Sequence, residues 1–174
     1  MIIIQIYLLR SNDVDAKMLD RLRTDVENTF HTDVSVLLDT FPTITAAYSK
    51  RRDQYSAEKY IQFIKTLNFS KEEEKKILVL TSVDLFAPLM NFIFGMAENP
   101  GDVAVVSTYR LIHGSITSDR TYIRILKEVI HELGHTYGLA HCPHSDCVMH
   151  FSSTIGDVDE KKSEFCTLCN RKIT

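Results

Sequence analysis

A chain of 174 residues, 44% hydrophobic and 25% charged, holds enough apolar material for one core and too little for two, which excludes a disordered chain. A formal net charge of −3, with no cluster of Lys and Arg to offset it, gives no pull toward nucleic acid or an anionic membrane surface. No apolar run reaches the roughly 18 residues that a membrane-spanning helix needs, so the expectation is a cytoplasmic protein without a nucleic-acid or membrane partner.

The run Met1–Leu9 is apolar and rich in isoleucine. It has no basic residue before it and no small-residue cleavage site after it, so it reads as a strand covered on both faces and not as a signal peptide. Ser11-Asn12-Asp13 then offers helix caps, and Val14, Met18, Leu22, Val26 and Phe30 recur every four residues, with Asp15, Lys17, Asp20, Arg21 and Arg23 on the opposite side. A second strand follows near 34–38, and strand, helix, strand in that order suggests a parallel pair with a crossover. Thr43–Tyr55 lacks periodicity and carries Lys50-Arg51-Arg52-Asp53, so it reads as an exposed connection with a solvated charge run.

Ser56 can cap a helix whose apolar side is Tyr60, Ile61, Ile64 and Leu67. After a charged lead-in at 71–76, Ile77–Leu80 reads as a buried strand. Phe92–Ala97 and Val103–Val106 flank Asn99-Pro-Gly-Asp102, a turn signal that suggests a hairpin. Ser118 or Asp119 then caps a helix with the apolar stripe Tyr122, Leu126, Val129, Ile130, Leu133 and Tyr137. No repeat, low-complexity tract or Pro/Gly-rich linker divides the chain.

That helix ends in His131-Glu-Leu-Gly-His135. Two histidines four positions apart stand about 40° from each other around a helix, so both imidazoles can reach one ion. Glu132 is turned too far to complete the same coordination shell but is suitably placed to touch a water at that ion, which makes it a base candidate. The pattern runs on to Gly138 and His141, and Gly138 can take the left-handed conformation that turns the chain back and brings His141 to the same metal. Three neutral imidazoles leave a fourth position on zinc open, as in a catalytic site. The plainer alternative is a set of unrelated surface or core histidines. It requires three histidines, a glutamate and a glycine to coincide at this spacing. His31, His113 and His144 stand outside the pattern and read as exposed or locally hydrogen-bonded.

All four cysteines, Cys142, Cys147, Cys166 and Cys169, fall in the last fifth of the chain. Thiolates grouped at short spacings in a reducing compartment are more often a metal site than disulfides, and four of them close a tetrahedral shell around zinc. Disulfides, a redox pair at Cys166 and Cys169, or His144 or His150 in place of one cysteine remain alternatives.

The extended histidine motif followed by Met149 resembles the metzincin signature. The compound pattern His141-Cys142, Cys147-Val-Met149 and Cys166-Thr-Leu-Cys169 is similar to the archaemetzincin family, and Asp84-Leu-Phe with Asn91–Glu98 adds an upstream likeness. The resemblance implies an α/β, metzincin-like mixed and mostly parallel twisted sheet with packed helices, residues 1–138 with the active-site helix and a small zinc-stapled subdomain at 139–174. It also implies two zinc ions, a catalytic one on His131, His135 and His141 and a structural one on the four cysteines, with Met149 as a floor beneath the histidines. Where some metzincins have Met-x-Tyr, this chain has Phe151, which offers no hydroxyl. The expected activity is hydrolysis of peptide or protein substrates with Glu132 as general base. A zinc-stabilised binding module with a latent site, or hydrolysis of a non-peptide amide, are the alternatives.

Overall fold

Strand β1 (Gln5–Ser11) sends Ile6 and Leu8 into one apolar cluster and Tyr7 and Leu9 into another, which is why its sequence shows no polar alternation. The computed structural model describes residues 4–67, 74–112 and 118–173; Met1–Ile3, residues 71–73 and His113 lie outside these. Helix α1 (Ala16–Phe30) crosses to β2 (Val34–Phe41), and β1 and β2 pair in parallel, as the order of elements suggests. The cap differs from expectation. Asp15, not Ser11–Asp13, accepts from the Lys17 N–H, because the chain first turns through Val14 before the helix begins.

The stretch Thr43–Tyr55 is a correction. It contains a single 3-10 turn (Thr45–Ala47) and the short strands β3 (Tyr48–Ser49) and β4 (Gln54–Ser56), and Ile44, Ala47 and Gln54 are buried. The Tyr60 hydroxyl accepts from the Ile44 N–H, and Gln54 donates to Asp84 and to the Asn91 carbonyl. Long-range partners hold this segment, and no local period reports them.

Helix α2 (Ala57–Thr66) follows, capped by Ser56 as expected. Then come β5 (Lys75–Thr81), β6 (Leu85–Phe86), β7 (Gly95–Ala97) and β8 (Val103–Ser107). The main sheet has the order β2-β1-β5-β8-β7, parallel except for β7, which pairs antiparallel with β8 across the expected turn and forms an edge. β3, β4 and β6 form a separate small sheet. Alternating residues of β1, β5 and β8 divide between a cluster shared with α1 and α3 (Asp119–Thr136) and one shared with α2. Each fully buried aliphatic side chain contributes about 1.5–3 kcal/mol.

Helix α3 departs from a simple one-sided stripe. Arg124, Lys127 and Glu128 are buried beside the apolar face, because α4 (Ile155–Glu160) covers that side. Arg124 donates to Asp159 through Nε at 2.6 Å and Nη2 at 2.5 Å, and Lys127 donates to the carbonyls of Val158 and Asp159. Arg124, and then Arg120, hold the Asp159 carboxyl well below the usual carboxylate range. Asp159→Asn should therefore lower stability by about 3 kcal/mol, since Arg124 is left buried without its counter-charge. A lowered folded-state value means that this contribution is present above about pH 3.9 and lost as pH falls, so urea midpoints of the two proteins should converge in acid. A last helix, α5 (Thr167–Ile173), carries Cys169.

Candidate active site

His131, Glu132 and His135 lie on the last turns of α3, where Ser118 caps the start and Gly138, at φ +87°, ends it. After that glycine the chain reverses and brings His141 back. The ligand-capable atoms of the three histidines lie within 4.8 Å of one another. His131 Nδ1–H donates to the Val148 carbonyl at 2.8 Å and His135 Nδ1–H to the Leu139 carbonyl at 2.6 Å. Both rings therefore turn Nε2 inward, and the two Nε2 atoms stand 3.1 Å apart. A tetrahedron with zinc–nitrogen bonds of about 2.05 Å has edges of about 3.3 Å. The donor set and its spacing fit zinc.

Burial holds His131 well below the ordinary imidazole value, Lys161 and His135 push the same way, and the Val148 hydrogen bond opposes them. His135 and His141 are lowered too, again chiefly by burial. Neutral imidazole is the form that binds metal. Glu132 is 5% exposed, and burial, followed by the charge of Glu128, pushes its carboxyl well above the usual range while Lys161 opposes.

Met149 is fully buried against α3, and a Cβ on Gly134 would meet its Sδ at 2.5 Å. The methionine thus packs where the helix offers no side chain. Phe151 lies with its ring centroid 5.0 Å from that of His141 and lines the cleft. The cleft, about 300 Å³, is also lined by Met90, Phe92, Phe94, Met96 and Glu128. Gly95 of β7 faces the base: a Cβ there would lie 2.7 Å from Glu132 Cγ and 2.9 Å from the Val105 carbonyl. Gly95→Ala should displace the Glu132 carboxylate and strain the β7–β8 pairing at Val105, lowering kcat/KM for a peptide by about 100-fold and the melting temperature with it.

The four cysteines converge as a second group, also within 4.8 Å. Cys142 and Cys166 Sγ stand 3.8 Å apart, which matches the edge of a tetrahedron with zinc–sulfur bonds of about 2.3 Å. The Cys166 N–H donates to Cys147 Sγ, and the Cys166 thiol is pulled down to about 7, first by the Cys169 backbone. Burial pushes the Cys169 and Cys147 thiols up. His144 is exposed, and the His150 ring bonds to the Cys142 carbonyl.

Several groups around the site carried no sequence signal. Asn99, read only as a turn residue, donates to the Leu139 carbonyl that orients His135. Lys161 is buried with its ammonium 2.9 Å from Glu128 and 3.5 Å from His131 Nδ1. Glu128 could have been noticed, since it stands one helical turn before Glu132. Arg52 donates to the carbonyls of Met90 and Asn91 and so holds the cleft rim, where the charge run suggested only solvation.

The profile of peptidase family M54 matches residues 13–174. The chain belongs to that family, the archaemetzincins. The archaemetzincin of Methanopyrus kandleri is 48% identical over 124 residues, covering 71% of this chain and 67% of that protein. That of Sulfolobus acidocaldarius is 33% identical over 171 residues, 97% and 96% of the two chains. Among solved structures, the Methanopyrus kandleri archaemetzincin superposes with a TM-score of 0.86 at 37% identity, covering 98% of this chain and 93% of that one. The Archaeoglobus fulgidus archaemetzincin, complexed with malonate, gives 0.83 at 33% identity, with 97% and 99% covered. This archaemetzincin is a zinc metallopeptidase, and the expected mixed, mostly parallel α/β fold is borne out. Among the described residues, no helix is long and apolar enough to cross a membrane.

Proposed function

We propose that His131, His135 and His141 hold the catalytic zinc, that Glu132 is the general base, and that Cys142, Cys147, Cys166 and Cys169 hold a second, structural zinc. The observation that carries this reading is the pair of inward Nε2 atoms 3.1 Å apart, each ring fixed through Nδ1 by a backbone carbonyl, with Glu132 in the same cleft. Zinc supplies a Lewis acid that polarises the scissile carbonyl and makes water nucleophilic near neutral pH.

The protein's own groups do the rest. The Glu132 carboxylate takes a proton from the attacking water and delivers it to the departing amide nitrogen, so the carbonyl carbon–nitrogen bond breaks to an acid and an amine. β7, an edge strand beside α3, offers unpaired backbone groups along which an extended peptide aligns. The apolar cleft wall keeps bulk water away from the carboxylate. Residues 1–138 and 139–174 form the two walls, and the chain acts in the cytoplasm on peptides or proteins.

Metal analysis tests the assignment. Wild type should carry two zinc ions per chain and His135→Ala one, with peptide hydrolysis lost in the variant. Two ions in the variant would refute the histidine site. Chelation should abolish turnover and added zinc restore it.

A further inference from the structure

We propose that Asn99, in the turn between β7 and β8, is a positioning residue for the catalytic zinc: its side-chain amide clamps the peptide group that orients His135 and leads into His141. The proposal rests on the zinc-ligand reading above and adds to it a residue that is not itself a ligand.

Leu139 stands between two of the three histidines. Its carbonyl accepts the His135 Nδ1–H at 2.6 Å, and two residues later the chain supplies His141. Beyond Gly138, at φ +87°, the chain has left α3, and the helix ladder no longer fixes this carbonyl. Asn99 does so from another element: its Nδ2 donates to the same oxygen at 2.9 Å. A carbonyl oxygen has two lone pairs, and His135 and Asn99 take one each. Nδ2 also stands 3.2 Å from His135 Nδ1. An amide NH2 accepts no proton, so Leu139 is the acceptor that the imidazole Nδ1–H finds, and Nε2 is left unprotonated toward the metal.

The turn that presents Asn99 is itself anchored. The Glu98 N–H donates to the Val103 carbonyl and Glu98 Oε2 accepts the Asp102 N–H, each at 3.0 Å. Lys76 Nζ donates to the Gly101 carbonyl at 2.7 Å and to Asp102 Oδ1 at 3.2 Å. On the helix side, the Gly101 N–H donates to the Thr136 carbonyl at 3.2 Å, and Pro100 packs against Gly138, with its Cβ 3.6 Å from where a Cβ would stand on that glycine. A short side chain on a turn bonded at both ends loses little freedom in placing its amide. Asn99 therefore holds the Leu139 carbonyl from a fixed point, and through it the ring of one ligand and the backbone leading to the next.

The test reads metal affinity and ring tautomer, not turnover. Catalytic-zinc affinity is measured by competition with a graded chelator on protein whose cysteine site stays loaded. Groups that orient a metal ligand typically contribute 10–100-fold to affinity, so Asn99→Ala should weaken the catalytic zinc about tenfold. Asn99→Leu, which fills similar space without a donor, should weaken it as much. Asp102→Asn alters the same turn through Lys76 and should leave the affinity within about twofold of wild type. Asn99 is exposed, so Asn99→Ala and Asp102→Asn should melt together when loaded at the cysteine site alone. In that state, above the imidazole range, ring-nitrogen chemical shifts should show His135 as the Nδ1–H tautomer in wild type and as a mixture in Asn99→Ala, while His131, held by Val148, stays unchanged. Wild-type affinity in Asn99→Ala, a loss that Asn99→Leu does not share, or an equal loss in Asp102→Asn would overturn the clamp. The two failures are separable: a His135→Ala variant that keeps the catalytic zinc refutes the ligand reading, whereas loss there beside wild-type affinity in Asn99→Ala refutes the clamp alone.

Discussion

Glu132→Gln is expected to lower kcat for peptide hydrolysis by about 1,000-fold while both zinc ions remain bound. Glutamine keeps the shape that packs against Gly95 and removes only the ability to accept a proton. Loss of metal in the variant would instead make Glu132 a ligand, and unchanged kcat would remove it from the chemistry. The base must be ionised to work, so kcat/KM in the wild type should fall in acid as Glu132 is protonated. Burial and Glu128 raise its carboxyl, with Lys161 opposing. The same shift has a consequence for stability in metal-free protein. A folded-state value raised above the unfolded value of about 4.3 favours the fold fully below that pH, and the advantage is lost as pH rises through the folded value. Metal-free Glu132→Gln should therefore match wild type in acid and exceed it at neutral and alkaline pH. Equal thermal melting at both pH values would contradict the burial of an ionisable Glu132.

What could be read from the chain alone follows from the range of the forces involved. Val14, Met18, Leu22, Val26 and Phe30 repeat at the helical period because one face of α1 meets the sheet, and Ile77–Leu80 is continuously apolar because both faces of β5 are covered. His131, Glu132, His135 and Gly138 lie within two helical turns, so their spacing nearly determines their geometry. Other parts depend on contacts between distant segments. Gln54 is buried because Asp84 and Asn91 await it 30 or more residues away. Lys161 reaches Glu128 across 33 positions of sequence, and a lysine beside Lys162 in a charged stretch gives no sign of such burial. Gly95 is legible only when β7 is laid beside α3, since its lack of a side chain makes room for Glu132. The catalytic motif was local. The groups that hold it in place were not.

Cys169→Ser is expected to remove the structural zinc, lower stability by on the order of 3 kcal/mol, and weaken the catalytic zinc at least tenfold. Residues 139–174 place few apolar side chains in the core, Leu139, Val148, Met149 and Val158 among them, so the thiolates carry much of the cohesion there. Cys147 and Cys169 are both buried, and replacing one thiolate by a hydroxyl opens a closed set of four donors. The effect should travel because Cys142 is bonded directly to His141, and its N–H donates to the Met149 carbonyl. Once the sulfur cluster loosens, the Met149 turn and the Val148 carbonyl that orients His131 lose their support as well. Calorimetric melting, zinc content and competition with a graded chelator should report all three changes. A variant that keeps two zinc ions would refute the four-thiolate site. One that loses a single ion but binds the other as tightly as wild type would show that the two centres are independent.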